Sequence, residues 1–251
     1  MTTPLPAGKG GYFASSRAPR YSILFSLPLL LLYEGLAALL ETPQGGMRNG
    51  ADALLRGLFS AVLGIHGPAI LMTIVVLVGA GLIAMDMRRA RENLRPVYFP
   101  LMLAESSVLA ILFGLVIGTV TAQLLGAANL LAAGAPTDLA QMSWMTRLML
   151  SLGAGLYEEL FFRVLLVSGL VALGVKVFGW TRRSAVLMAV LVSAFVFSAF
   201  HYIPPYGDKL ELTSFTFRFF SGVAFSALYV VRGFGITAWT HALYDAFLLL
   251  F

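Results

Sequence analysis

MTRLMLSLGAGLYEELFFRVLLVSGLVALG, residues 145–174, carries four charged residues, Arg147, Glu158, Glu159 and Arg163, in an otherwise apolar and small-residue run. About 20 apolar residues cross the hydrocarbon core of a bilayer, so the stretch is long enough to span one. Three of its charges then fall inside the membrane. Each costs several kcal/mol there unless paired or used, and that cost marks them for attention.

The rest of the chain reads the same way. Of 251 residues, 59% are hydrophobic and 12% charged, and the mean hydropathy is +0.87. A soluble domain keeps about a quarter of its residues charged; a deficit this large means that lipid covers most of the surface. The expected fold class is all-α, a polytopic transmembrane helical bundle. Spans are expected at about 21–40, 68–86, 98–125, 145–174, 184–203, 212–231 and 234–251. Residues 51–65 read as an amphipathic helix in the interface, with Leu54, Leu55, Leu58, Phe59, Val62 and Leu63 on one face and Asp52, Arg56 and Ser60 on the other. Residues 1–20, rich in Gly, Pro, Ser and basic groups, are expected as a flexible cytoplasmic tail. Residues 21–251 form a single membrane domain with a motif-bearing core at about 145–251. The first apolar run holds Glu34 and has no A-x-A cleavage signal, so it reads as a retained helix.

The net charge of +5 comes from basic residues in short clusters between apolar runs. With the N-terminus inside, eleven fall at the inner side and five at the outer, which predicts an N-in multi-pass membrane protein; the Ala-, Leu- and Gly-rich usage points to a bacterial cell membrane. That distribution fits anionic lipid, not nucleic acid. The absence of cysteine excludes disulfides and thiolate chemistry. No internal repeat of the kind that builds many transporters is present.

Arg163 follows Glu159 by four residues, one face of an α-helix, so the two are expected to pair. Glu158, rotated by about 100°, keeps a charge that needs a proton, a metal or a histidinium nearby. Two histidines lie in apolar runs. His201 ends Phe197-Ser198-Ala199-Phe200-His201. His241 begins His241-Ala242-Leu243-Tyr244-Asp245, with the imidazole and the Asp245 carboxylate one helical turn apart. Glu158, Glu159, His201, His241 and Asp245 supply the parts of peptide hydrolysis: a carboxylate that takes a proton from water, imidazoles that position it, and a donor for the oxyanion. The same groups would also serve a proton relay. The bland alternatives are a packing ion pair for Glu159–Arg163 and satisfied core histidines. His66, beside Gly67-Pro68, reads as an interfacial residue. Glu34 reads as a helix-to-helix hydrogen bonder, and Glu105 as a group snorkelling to the inner interface.

The ordered set E-E-x-x-x-R at 158–163, F-x-x-x-H at 197–201 and H-x-x-x-D at 241–245 resembles the CPBP family of intramembrane proteases, the Abi-like relatives of the type II CAAX prenyl endopeptidase. The resemblance covers about residues 157–245; the N-terminal half carries no motif that matches. It implies that Glu158 activates the water and that Glu159 and Arg163 support it. His201 and His241 then hold the water or the oxyanion, with Asp245, where the family often has Asn, beside them. The implied partners are membrane protein or lipoprotein substrates in the lipid bilayer, processed at C-terminal sorting signals or CAAX-like ends. A role in bacteriocin self-immunity also suits the family. No cofactor is favoured, although a divalent metal such as zinc among Glu158, His201, His241 and Asp245 would balance the surplus charge; the H-E-x-x-H spacing of soluble zinc peptidases is absent. The rival expectations are a proton-coupled transporter and an idle scaffold.

One feature of this topology is awkward. His201 lies near the outer end of its helix, and His241 about seven residues, roughly 10 Å, from the inner end of its own. They share a site if the turn at Gly233-Phe234-Gly235 dips into the membrane, or if one of these helix boundaries lies elsewhere.

Overall fold

A computed structural model describes residues 11–42, 46–90, 93–126, 142–203 and 207–250. Every regular element among them is a helix: α1 (Tyr12–Ser16), α2 (Pro19–Leu39), α3 (Gly50–Leu63), α4 (Gly67–Ala90), α5 (Tyr98–Leu125), α6 (Trp144–Gly153), a π-helical segment (Ala154–Val167), α7 (Ser168–Lys176), α8 (Arg182–Phe200), α9 (Leu212–Arg232) and α10 (Phe234–Leu250), with one 3-10 turn at Gly64–His66. Local chemistry sets several of these ends. Asn49, Ser143 and Thr181 cap α3, α6 and α8 by accepting a backbone N–H of the first turn. Gly233 ends α9 at φ 79°, a conformation that only glycine adopts without strain.

The chain is an integral membrane protein. Leu77, Leu115, Val116 and Phe195 are exposed on its outside, as lipid contact requires. Among the described residues, five stretches are long and apolar enough to span, namely Pro19–Leu39, Gly50–Ala90, Tyr98–Leu125, Arg182–Phe200 and Leu212–Arg232. The expected seven spans are therefore not all of this kind. The 145–174 stretch is divided among α6, the π-helical segment and α7, and α10 has only 17 residues.

α10 lies at the centre, against α2, α5, α6, α9 and the π-helical segment, while α8 packs on α9 and α7. Close approach is sequence-encoded: a Cβ at Gly155 would lie 2.4 Å from the Ala238 carbonyl oxygen, and one at Gly235 would lie 2.5 Å from that of Ser22. The turn before α10 lies level with the first turn of α2, where Gly235 N–H donates to Ser22 Oγ at 2.6 Å, and partway along α5. Arg232 pairs with Glu105 (Nε to Oε1 2.6 Å, Nη2 to Oε2 2.8 Å), and Glu105 is seven residues, roughly 10 Å, into α5. Arg232 also donates to the Phe13 carbonyl and to Ser16 Oγ, and Tyr12 Oη donates to Glu105. Glu105 thus holds a helix end in place instead of snorkelling. Of the stretch 1–20, residues 1–10 lie outside the described residues; α1 packs under this turn, and Ser16 and Arg20 are buried.

α3 departs from the amphipathic expectation. Its helix forms, but Asp52 is fully buried, whereas Leu58 and Val62 face outward. The polar face turns in because partners wait there. Arg48 and Arg56 both bind Asp52 and Glu34 (2.6–3.1 Å), and Tyr157 Oη donates to Glu34 at 2.7 Å. Burial disfavours the Arg48 cation, but the Asp52 and Glu34 carboxylates outweigh it and hold its pKa above the ordinary arginine value. His66 is exposed.

Candidate active site

The E-E-x-x-x-R sequence lies in the π-helical segment, which closes with a hydrogen bond from Ser168 N–H to the Arg163 carbonyl, five residues back. Such stretches are rare and recur at functional sites. Both carboxylates point inward, Glu158 toward α3 and Glu159 toward α10. Glu159 Oε1 lies 3.1 Å from Arg163 Nη1, and neither side chain is exposed. The guanidinium otherwise meets aromatic rings, with its carbon 4.6 Å from the Phe197 centroid and 5.7 Å from that of Phe225. Its N–H groups make no well-aligned hydrogen bond, and Glu159 Oε2 has no partner.

His241 connects this pair to the rest. Its Nδ1–H donates to Glu159 Oε1 at 2.6 Å, and its ring stacks on Phe225 at 4.3 Å. That bond assigns the tautomer and turns Nε2 toward Glu158 Oε2 at 3.9 Å and Asp245 Oδ2 at 3.6 Å. The His201 Nδ1–H donates to the Phe197 carbonyl at 2.8 Å, which leaves its Nε2 free. Phe197 lies between the imidazoles, with its ring centroid 4.9 Å from that of His201 and 6.2 Å from that of His241. The Glu158 carboxylate is within electrostatic reach of both. The structure therefore gathers Glu158, Glu159, Arg163, His201, His241 and Asp245 around one buried volume. The two histidines meet across Phe197 despite the different depths that the sequence leads one to expect.

One contact comes from the half of the chain without a motif. Asn49 Nδ2 donates to Glu158 Oε1 at 2.8 Å, across 109 positions of sequence. The only local signal was an Asn followed by a helical run, which reads as an ordinary cap. Phe197 lies within the F-x-x-x-H motif, while Phe225, which stacks on His241, carried no signal beyond hydrophobicity.

Among the described residues, no group of three or more His, Cys, Asp or Glu side chains is placed to hold a metal ion. His241 Nδ1 and Glu159 Oε1 are spent on each other, and His201 Nδ1 on a carbonyl. The Nε2 atoms of both rings stay open, and no chemical step is routed through a metal.

Comparison with known proteins adds one match: residues 140–247 fit the family model Type II CAAX prenyl endopeptidase Rce1-like. No curated protein and no solved structure matches the chain. The matched segment holds all six gathered residues and none of α1–α5. The matched segment is thus similar to the family that the motifs at 158–163, 197–201 and 241–245 resemble, and it covers the motif-bearing part of the chain.

Proposed function

We propose that the chain is an intramembrane endopeptidase that hydrolyses peptide bonds of membrane-associated protein substrates with a water activated by Glu158. One observation carries this reading: the buried His241 turns Nε2 toward Glu158 Oε2 at 3.9 Å and toward the partly exposed Asp245 Oδ2 at 3.6 Å. A single water can reach the first two. Glu158 takes its proton as the oxygen attacks the scissile carbonyl carbon. The C–N bond then breaks, and the proton passes to the leaving amine.

Charge balance suggests what stabilises the oxyanion. Glu158, Glu159 and Asp245 face one permanent cation, Arg163, and a low-dielectric pocket does not hold a double surplus. Two protons neutralise it. Placed on Nε2 of His201 and His241, whose Nδ1–H groups are already committed, they also supply two N–H donors for the developing oxyanion. This is a metal-free account.

A cleft of about 1150 Å³ supports a lipid-modified substrate. It runs between α2, α4, α7 and the π-helical segment, is lined by Leu156, Tyr157 and Leu160 beside the site, and carries Lys176 and Arg182 toward one end. A hydrocarbon chain would lie in it with its polar part among the basic groups. The basic-residue count orients that end to the cytoplasm. The transporter alternative is less well served: along α2 and α10, Phe25, Leu29, Ile236 and Ala238, all buried, separate the Glu105–Arg232 pair from the Glu158 cluster. The charged groups gather in separate pockets.

Comparative membrane proteomics of cells carrying the wild type or Glu158→Gln tests the proposal. Uncleaved precursors should accumulate only with the variant. Identical membrane proteomes would remove the protease assignment.

A further inference from the structure

Asn49 lies outside the family match, at the start of α3, and only 7% of it is exposed. Its two amide atoms are used differently. Oδ1 accepts the Ala51 N–H at 2.9 Å and caps the helix. That bond assigns the oxygen and leaves Nδ2 directed at Glu158 Oε1. The amide cannot turn over without leaving Ala51 N–H uncapped and setting an oxygen against a carboxylate. Its backbone is held as well. Asn49 N–H donates to Tyr33 Oη at 3.1 Å, and Tyr33 donates to Asp52 Oδ2 at 2.8 Å. Asp52 is fixed by Arg48 and Arg56, each also bound to Glu34. Packing leaves no slack, since a Cβ on Gly153 would meet the Tyr33 ring at 2.5 Å and Asn49 Cβ at 2.7 Å.

We infer that Asn49 is a positioning residue for the hydrolysis. It occupies Glu158 Oε1 and so fixes Oε2 as the oxygen that faces His241 and takes the proton from water. The α2–α3 ion cluster is the rigid mount that holds it. This rests on the peptidase reading of Glu158. A carboxylate free to rotate about its terminal torsion would present either oxygen at varying angles, and a misplacement of about 1 Å costs on the order of 10²-fold in rate.

The test separates this role from capping alone. Ser caps as well as Asn does but is too short to reach Glu158, and Asp keeps the size and the cap while replacing the donor with a like charge. With a quenched, farnesylated CAAX-type peptide as probe, Asn49→Ser and Asn49→Asp should each lower kcat at least about tenfold, with KM within about twofold, in protein that still purifies folded. Wild-type kcat in Asn49→Ser would reduce Asn49 to a helix cap and overturn the inference. A second arm needs no substrate: the unfolding midpoints of Asn49→Ser, Glu158→Ala and the double variant should be non-additive, because the two residues share a contact. Additive shifts would overturn the inference as well. If the wild type leaves the peptide whole while Asn49 and Glu158 still couple, the peptidase reading fails on that probe and the Asn49–Glu158 mount stands.

Discussion

Two buried charge clusters lie side by side in this bundle, and they are built on opposite rules. The α2–α3 cluster has two acids, Glu34 and Asp52, against two bases, Arg48 and Arg56, and each acid meets both bases at 2.6–3.1 Å. The neighbouring cluster has three acids, Glu158, Glu159 and Asp245, against Arg163 alone. It also holds the buried polar atoms without partners, Glu159 Oε2 and the Arg163 nitrogens. Buried charges that only stabilise are matched and hydrogen-bonded; unmatched charge with spare lone pairs is kept where protons must move. Asn49 joins the two, belonging to the first by its backbone and to the second by its amide.

The difference can be broken from either side. Arg163→Ala should have the largest effect on folding, about 3–5 kcal/mol, because it strands buried carboxylates without their permanent cation. Purified yield and the unfolding midpoint measure it. Pairing Arg163→Met with Glu159→Gln should recover yield but not activity, since His241 then loses the carboxylate that orients it. In the balanced cluster, Asp52→Ala should cost about 2–3 kcal/mol by leaving two partly exposed arginines with one acid. There, Asp52→Leu with Arg56→Leu should recover most of the stability, because Arg48–Glu34 remains a neutral pair, and should keep part of the activity, the loss being limited to what Tyr33 and Asn49 suffer when Tyr33 loses its acceptor. Equal rescue of activity in both clusters would erase the distinction. The smallest effect belongs to Asp245→Asn, expected within about threefold of wild-type kcat/KM, because the amide keeps the shape beside His241 Nε2 and removes only part of the surplus charge. A loss beyond about 10²-fold would give Asp245 a proton-transfer role.

The motif cluster was legible in the sequence for the reason that makes it costly: carboxylates and imidazoles inside apolar runs have few innocent explanations. Its assembly was less so. A 3.6-residue period does not reveal that residues 154–167 wind more widely, nor how α8 and α10 pack against that segment, so the span count and the meeting of His201 with His241 stayed out of reach. Asp52 was misplaced on the outer face because Glu34, its indirect partner through two arginines, belongs to another helix. Asn49 was missed because its partner lies 109 positions away and its local role, the cap, explains it fully.

The central claim is that Glu158 is the base of a metal-free hydrolysis, and one measurement addresses it directly: cleavage of a membrane-embedded substrate by purified, exhaustively chelated wild type and by Glu158→Gln. The account predicts undiminished wild-type activity after chelation. It also predicts a fall of about 10²–10⁴-fold in the variant with its unfolding midpoint preserved, because the amide keeps the Asn49 contact but accepts no proton. Equal turnover by the two proteins, or activity lost on chelation and restored by stoichiometric zinc, would contradict it.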